Sequence, residues 1–305
     1  MRIVHLESSG TLVQAVAPVP HPGKRELLIK VRAAGVMPAE LSWYPTTHRS
    51  DGEARTGAVP GHEFSGVVTA VGEEVGRLEI GREVFGMNDW YTDGAMAEYC
   101  TAPFFAVAPR PACLTYEEAA SVPISALTAW QALFDHAKLR AGERVLIQGG
   151  AGAVGMFAVQ LARAHGAHVI ATAAEENRAF VSSLGAEQVI DYRKERFEDR
   201  VRDLDVVFDT VGGDTLERSW AVLGPKGRMV TVVSTVADSS DPRVKKAFFI
   251  VEPNQKQLYE IARLLEVGEL RTVVDAVIGL AQVPDAYAGR LPRHGRGKLV
   301  VAIAN

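Results

Sequence analysis

Cysteine is nearly absent: only Cys100 and Cys113 occur in 305 residues, with no CxxC pair and no Cys/His cluster. Neither a disulfide framework nor a structural zinc lobe can be assembled from them, and a reducing cytoplasmic compartment is the expected home. Long apolar runs are also missing. Charges, Gly or Pro interrupt each run before membrane-spanning length, and the opening MRIVHLESSG lacks the apolar core of a signal peptide. The chain is therefore expected to be soluble and untargeted, with no membrane partner. A formal charge of −4 provides no general attraction for nucleic acid or anionic lipid, which leaves a small molecule as the expected partner. No internal repeat or low-complexity tract is visible, so solenoid and coiled-coil architectures drop out.

What is present is a chain of ordinary globular composition, 47% hydrophobic and 23% charged, and long enough for two domains. The first hundred residues carry short β-rich runs, Leu27–Ala33, Phe64–Val71 and Glu83–Phe85, separated by Gly and Pro turns. The texture changes near Leu114–Ala119, and a helical stretch follows at Ser125–Lys138. Strands are then expected at Arg144–Gln148, His168–Thr172, Gln188–Ile190, Asp205–Asp209 and Arg228–Val233. They alternate with helices at Val154–His165, Asn177–Leu184 and Thr215–Leu223. That alternation predicts an α/β fold with a parallel sheet. A further amphipathic helix is expected at Gln255–Val267 and a closing strand at Lys298–Ile303.

The strand RVLIQ runs into Gly149-Gly150-Ala151-Gly152-Ala153-Val154-Gly155 and then a helix, giving Gly150, Gly152 and Gly155 the GxGxxG spacing. Gly150 is expected to take the tight turn, Gly152 to let the backbone approach a pyrophosphate, and Gly155 to let helix and strand pack closely. Free N–H groups at the helix start would face the phosphates. This predicts a nicotinamide dinucleotide. At the end of the second strand Thr172 and Ala173 stand where an NAD enzyme usually carries an acid, and Arg178 follows one turn later, which favours NADPH over NADH. Glu175 and Glu176 in the same loop keep the acidic alternative open.

Together with Ala33–Val36, Pro60-Gly61-His62-Glu63-Phe64-Ser65-Gly66, Asp93–Tyr99, Ala126–Trp130, Val207–Gly213 and Gly297–Val301, these segments resemble the medium-chain dehydrogenase/reductase superfamily, most closely its zinc-independent quinone oxidoreductase branch. The resemblance implies a GroES-like, partly open β barrel from residues 1–123 and 272–305, and a Rossmann domain from residues 124–271. It also implies a homodimer and a cofactor cleft between the domains. Thr128 and Lys298 would approach the cofactor, with Thr172, Arg178 and Tyr192 at the adenosine phosphate and Ser234, Phe249 and Val251 along the nicotinamide. For Tyr192 and Phe249, plain packing is an equal alternative.

Zinc-dependent members carry a GHE segment whose His binds the metal, and here His62-Glu63 matches it. The other two ligand positions fall at Met37 and Ile124, which supply no thiolate or imidazole, so no zinc is expected and His62 and Glu63 are assigned turn or interface hydrogen bonds. Without a Lewis acid to acidify an alcohol, the expected chemistry is hydride transfer to a quinone or an α,β-unsaturated carbonyl (enone). An enoyl-thioester reductase and a silent NADPH-binding regulatory or scaffold protein are the alternatives. The Trp43-Tyr44 and Trp90-Tyr91 pairs are candidates for an acceptor pocket, with Tyr44 or Tyr91 as proton donor, although no catalytic base is required. The eight histidines have no evident nucleophile partner, and no GxSxG elbow occurs.

Overall fold

The computed structural model describes residues 1–76, 80–233 and 239–303. A ribbon of β1 (Arg2–Leu6) and β2 (Leu12–Val16) opens the chain. It is followed by β3 (Glu26–Gly35), β4 (Glu63–Val71), β5 (Glu83–Met87), β6 (Tyr99–Pro103) and β7 (Val107–Pro109). Next come β8 (Arg144–Gln148), β9 (His168–Ala173), β10 (Gln188–Asp191), β11 (Leu204–Asp209) and β12 (Leu223–Thr231). The last two strands are β13 (Val274–Gly279) and β14 (Lys298–Ala302).

β8 to β12 form a parallel five-stranded sheet in the order β10-β9-β8-β11-β12. The central strands β8, β9 and β11 carry the apolar runs VLI, VIA and VVF because both faces are covered, and successive side chains point to opposite faces. Val145 and Ile147 accordingly enter one core cluster, with Leu127, Phe157 and Leu258, while Leu146 enters another with Ile170, Val207 and Leu216. This is the doubly wound arrangement, and its strand order reverses between β8 and β11. Ligands of such sheets bind at the carboxyl ends of the strands at that switch point. Beyond β12, a parallel bridge from Thr231 to Phe248 prolongs the sheet among the described residues.

The remaining strands β3 to β7, β13 and β14 make a seven-stranded mixed sheet curled into a GroES-like partial barrel. The chain's end closes it: β14 pairs antiparallel with β3, Val300 opposite Gly35. Gly35 is required there, because a Cβ would sit 2.5 Å from the Glu63 carboxylate. The barrel has its own core, including Val4, Ile29, Phe64, Val68, Leu299 and Val301. Burying each such side chain stabilises the fold by roughly 1.5–3 kcal/mol.

Two helices position the cleft. The helix Pro123–Trp130 passes directly into a π turn, Gln131–His136, so the single helix expected over Ser125–Lys138 is broken in its winding. Such π turns often mark functional positions because they displace one residue from the helical register. The helix Gln255–Glu266 starts where the Asn254 side chain accepts the Gln257 N–H at 3.2 Å, and buries Leu258, Ile261, Ala262 and Leu265 along one stripe.

Candidate active site

The glycine turn lies at the end of β8 and leads into the helix Ala153–Ala164. The tight, left-handed residue is Gly149 (φ 78°), one position before the expected Gly150. Gly150 has a packing task instead: a Cβ there would meet the Ala171 methyl at 2.8 Å. A Cβ on Gly155 would stand 2.1 Å from the Gly149 carbonyl, so helix and strand approach as closely as the spacing predicts. Gly152 differs from both. It caps the helix in extended backbone (φ −69°, ψ 171°), and among the described residues an added Cβ would find only the Gly149 carbonyl at 3.4 Å. The amides of Ala153, Val154 and Gly155 belong to the first turn, where no helical acceptor exists. Backbone donors beside an open, Cβ-free cap fit a pyrophosphate.

The turn is braced from within. Thr172 is buried; its hydroxyl accepts the Gly149 N–H at 3.0 Å and donates to Gln148 Oε1 at 2.8 Å. Gln148 Nε2 in turn donates to Ser219 Oγ at 3.1 Å. Thr172 therefore supports the turn and does not present its hydroxyl outward to an adenosine phosphate. Across the switch point, the buried Asp209 carboxylate accepts the N–H groups of Val211 and Gly212.

At the adenosine end, β9 finishes at Ala173, and the charged groups follow in a surface network. Arg178 forks onto Glu175 at 2.9 and 3.1 Å, Arg193 pairs with Glu176 at 2.7 Å, and Lys194 lies 3.7 Å from Glu175. The neighbouring guanidinium holds the Glu175 carboxyl below its usual range, and that carboxylate raises Arg178. Tyr192 is exposed beneath the Arg193 guanidinium, 5.6 Å away. A strap from the barrel crosses here: Arg296 donates to Asn177 Oδ1 at 2.6 Å and to the Glu176 carbonyl at 2.7 Å. Gly297 donates to the Ala151 carbonyl at 3.0 Å. The sequence reading missed Arg296, whose long-range contacts leave no local pattern.

At the other end of the cleft the two domains touch through aromatic groups. Trp90 Nε1 donates to the Val251 carbonyl at 3.3 Å, and the Trp43 ring meets Trp90 edge-on at 5.2 Å. Met37 and Trp90 both pack on the core that contains Ile124, Phe249 and Val251. The segment carrying Val251 is clamped by Gln131 at the start of the π turn: its Oε1 accepts the Glu252 N–H at 3.0 Å and its Nε2 donates to the Glu252 carbonyl at 2.8 Å. Phe249 stacks on His136 at 4.1 Å. Thr128 is buried in the preceding helix. Lys298 forms a buried ion pair with Glu63, whose other oxygen accepts the Ile124 N–H at 3.0 Å. That pair fastens the barrel to the first helix of the Rossmann unit. Ser234 lies outside the described residues. Tyr44 and Tyr91 are both exposed, unlike the half-buried tryptophans beside them, and the Tyr44 ring stacks on His48 at 4.2 Å. An open apolar groove of about 520 Å³, lined by Trp130, Phe134, Leu161 and Leu264 among others, contains no glycine-turn residue and is not the cofactor cleft.

His62 Nδ1 meets Glu40 Oε2 at 2.5 Å, and Glu40 Oε1 accepts the Gly61 N–H at 3.0 Å and the Tyr287 hydroxyl. Glu40, His62 and Tyr287 are all buried, and burial beside the Glu40 carboxylate pushes the Tyr287 phenol well above its ordinary value. For zinc the donor set does not fit. Among the described residues no three His, Cys, Asp or Glu side chains are grouped to hold a metal ion, and Glu63 is committed to Lys298 and Ile124.

Residues 23–112 match the alcohol dehydrogenase GroES-like domain family, and residues 184–301 match the zinc-binding dehydrogenase family. The mouse (Mus musculus) quinone oxidoreductase is 30% identical over 309 residues, covering 94% of this chain and 91% of its own length. A probable mitochondrial zinc-binding oxidoreductase of Arthroderma benhamiae is 32% identical over 96% of this chain and 93% of its own. The chain belongs to the medium-chain dehydrogenase/reductase superfamily. Among solved members, the quinone oxidoreductase from Coxiella burnetii superposes with a TM-score of 0.89 at 29% identity, covering 100% of this chain and 99% of that one. Superfamily membership accounts for the two-sheet architecture. No helix among the described residues is long and apolar enough to cross a membrane.

Proposed function

We propose that this superfamily member is an NADPH-dependent oxidoreductase that reduces a quinone or enone acceptor without zinc. The observation that carries the reading is the glycine turn at the sheet's switch point, with Gly152 open and Gly155 packed against Gly149. When bound, the dihydronicotinamide supplies the hydride. The protein's part is placement. The amides after Gly152 hold the pyrophosphate, while Arg178, Arg193 and Lys194 are the cations at the ribose end, where a 2′-phosphate would draw them from their carboxylate partners. Gln131 fixes the segment carrying Val251, so that Thr128, Phe249 and Val251 border the nicotinamide. Trp43 and Trp90 provide an apolar wall that excludes water from the acceptor.

The names of the mouse and Coxiella relatives support the quinone assignment. The words zinc-binding appear in the family description and in the Arthroderma name, while the resemblance puts Met37 and Ile124, which carry no thiolate or imidazole, at two of the ligand positions; this supports the zinc-free reading. A cytoplasmic homodimer completes the reading, with sedimentation as its check. The functional test is a steady-state panel of a naphthoquinone, an enone and an enoyl thioester, each with NADPH and NADH. Turnover of the first two with NADPH preferred is expected. A clear NADH preference, or turnover of the thioester alone, would overturn the assignment.

A further inference from the structure

The Glu40–His62–Tyr287 cluster is not among the residues assigned to the cofactor, and it leaves a histidine with one uncommitted nitrogen against the Trp90 ring. His62 is 3% exposed, and its Nδ1 is committed to Glu40. Its Nε2, on the other side of the ring, is buried and has no hydrogen-bond partner among the described residues. The imidazole lies 5.1 Å from the Trp90 ring, and Trp90 reaches across the cleft to the Val251 carbonyl. A buried polar atom without a partner carries a desolvation cost that native structures retain mainly where a ligand completes it.

Resting on the reductase reading above, we infer that His62 is the catalytic proton donor, delivering its Nε2 proton to the oxyanion of the reduced acceptor. Glu40, oriented by Tyr287 and Gly61, is a positioning residue. The donor role requires the ring to carry a proton on each nitrogen, and the Glu40 carboxylate is the counter-charge that this form meets at Nδ1. In that form the ring carries its second proton on Nε2. An acceptor that had received a hydride, one proton with two electrons, would be an enolate or hydroquinone anion. The His62 Nε2–H bond then breaks and an O–H bond forms on that anion. His62 is left neutral with Nδ1–H still on Glu40, and a solvent proton restores it after product departs.

The test separates proton donation from structural support by varying the basicity of the product anion. His62→Asn keeps an N–H toward Glu40 but has no proton to give. An enone yields a strongly basic enolate, for which general-acid loss is expected to lower kcat by about 10²–10⁴-fold. Tetrachloro-1,4-benzoquinone yields a weakly basic hydroquinone anion, for which the loss stays within roughly tenfold. The dissociation constant for NADPH, read by tryptophan fluorescence, is unchanged. Glu40→Gln gives the same acceptor-dependent pattern with a smaller amplitude. It also abolishes the downfield imidazole N–H proton resonance that the Glu40 contact produces in the ligand-free wild type. Equal losses on both acceptors, or no loss on either, in a variant that keeps its thermal midpoint overturn the donor role. If His62→Asn does not fold, the Glu40→Gln pattern decides by itself. Wild-type protein that reduces neither acceptor refutes the reductase reading and the donor role together, whereas wild-type turnover leaves the variants to judge His62 alone.

Discussion

Two glycines of one turn, three residues apart, are predicted to fail in different ways. At Gly155 an added methyl would stand 2.1 Å from the Gly149 carbonyl and 2.8 Å from its carbon, both backbone atoms that cannot swing aside. Gly155→Ala must therefore push the helix Ala153–Ala164 off β8, an overpacking change that costs about 1–3 kcal/mol. With roughly 2–4 °C lost per kcal/mol for a domain of this size, the thermal midpoint should fall by about 2–12 °C. At Gly152 the same methyl meets, among the described residues, only one atom at 3.4 Å, and the backbone (φ −69°) suits any residue. Gly152→Ala puts a poorer residue at the helix N-cap, a cost of at most ~1 kcal/mol and a midpoint fall of no more than about 2–4 °C. Its methyl would instead stand between the pyrophosphate and the helix amides. Losing one charge-assisted hydrogen bond of about 1.5–3 kcal/mol weakens NADPH binding by about 10- to 150-fold. Calorimetric melting and fluorescence titration on the two variants separate the outcomes. A Gly152→Ala protein that binds NADPH like wild type, or a Gly155→Ala protein that melts like it, would refute the placement of the phosphates at this turn.

Lys298→Met leaves the buried Glu63 carboxylate uncompensated and should destabilise the fold by about 3–5 kcal/mol, with much of the loss recovered in Lys298→Met/Glu63→Gln; chemical denaturation of the double-mutant cycle measures it. Trp90→Phe removes the N–H to the Val251 carbonyl and should cost about 0.5–1.5 kcal/mol, read as weaker acceptor binding with NADPH affinity unaltered. Burial pushes the Cys100 thiol up to about 12, so a thiol reagent should titrate only the exposed Cys113 in native protein and both cysteines in denaturant. The same shift has a linkage consequence. The folded state holds the Cys100 proton more tightly than the unfolded chain does, so this contribution to stability is full below pH 9 and is lost as pH rises toward about 12.

Local patterns made the Rossmann half of the chain readable. Strand β8 falls on the residues its apolar run marks, and the helix after the glycine turn starts one residue earlier than expected, at Ala153. Such elements announce themselves because burial on both faces forces continuous apolar strands between turn residues. The π turn at Gln131–His136 was not legible, because its apolar spacing is close to that of an ordinary helix and the clamp of Gln131 on Glu252 at its start is a tertiary contact. The assignment of the tight turn to Gly150 missed by one residue, since adjacent glycines carry no local signal for which takes positive φ. Glu40 was invisible for a different reason. In PAELS it reads as a surface charge, and only contacts 21 and 22 residues away to Gly61 and His62, and 247 away to Tyr287, reveal a buried carboxylate. His62 was singled out as the remnant of a metal site, but its pairing with Glu40 needed the fold.

The central claim is reduction by NADPH without metal assistance, and the most direct measurement is turnover of a quinone or enone by protein exhaustively treated with a chelator and analysed for metal. The account predicts one NADPH consumed per acceptor reduced, at a rate that chelation leaves unchanged and added zinc does not raise. Stoichiometric zinc in the purified protein, with activity that disappears on chelation and returns with zinc, would contradict it.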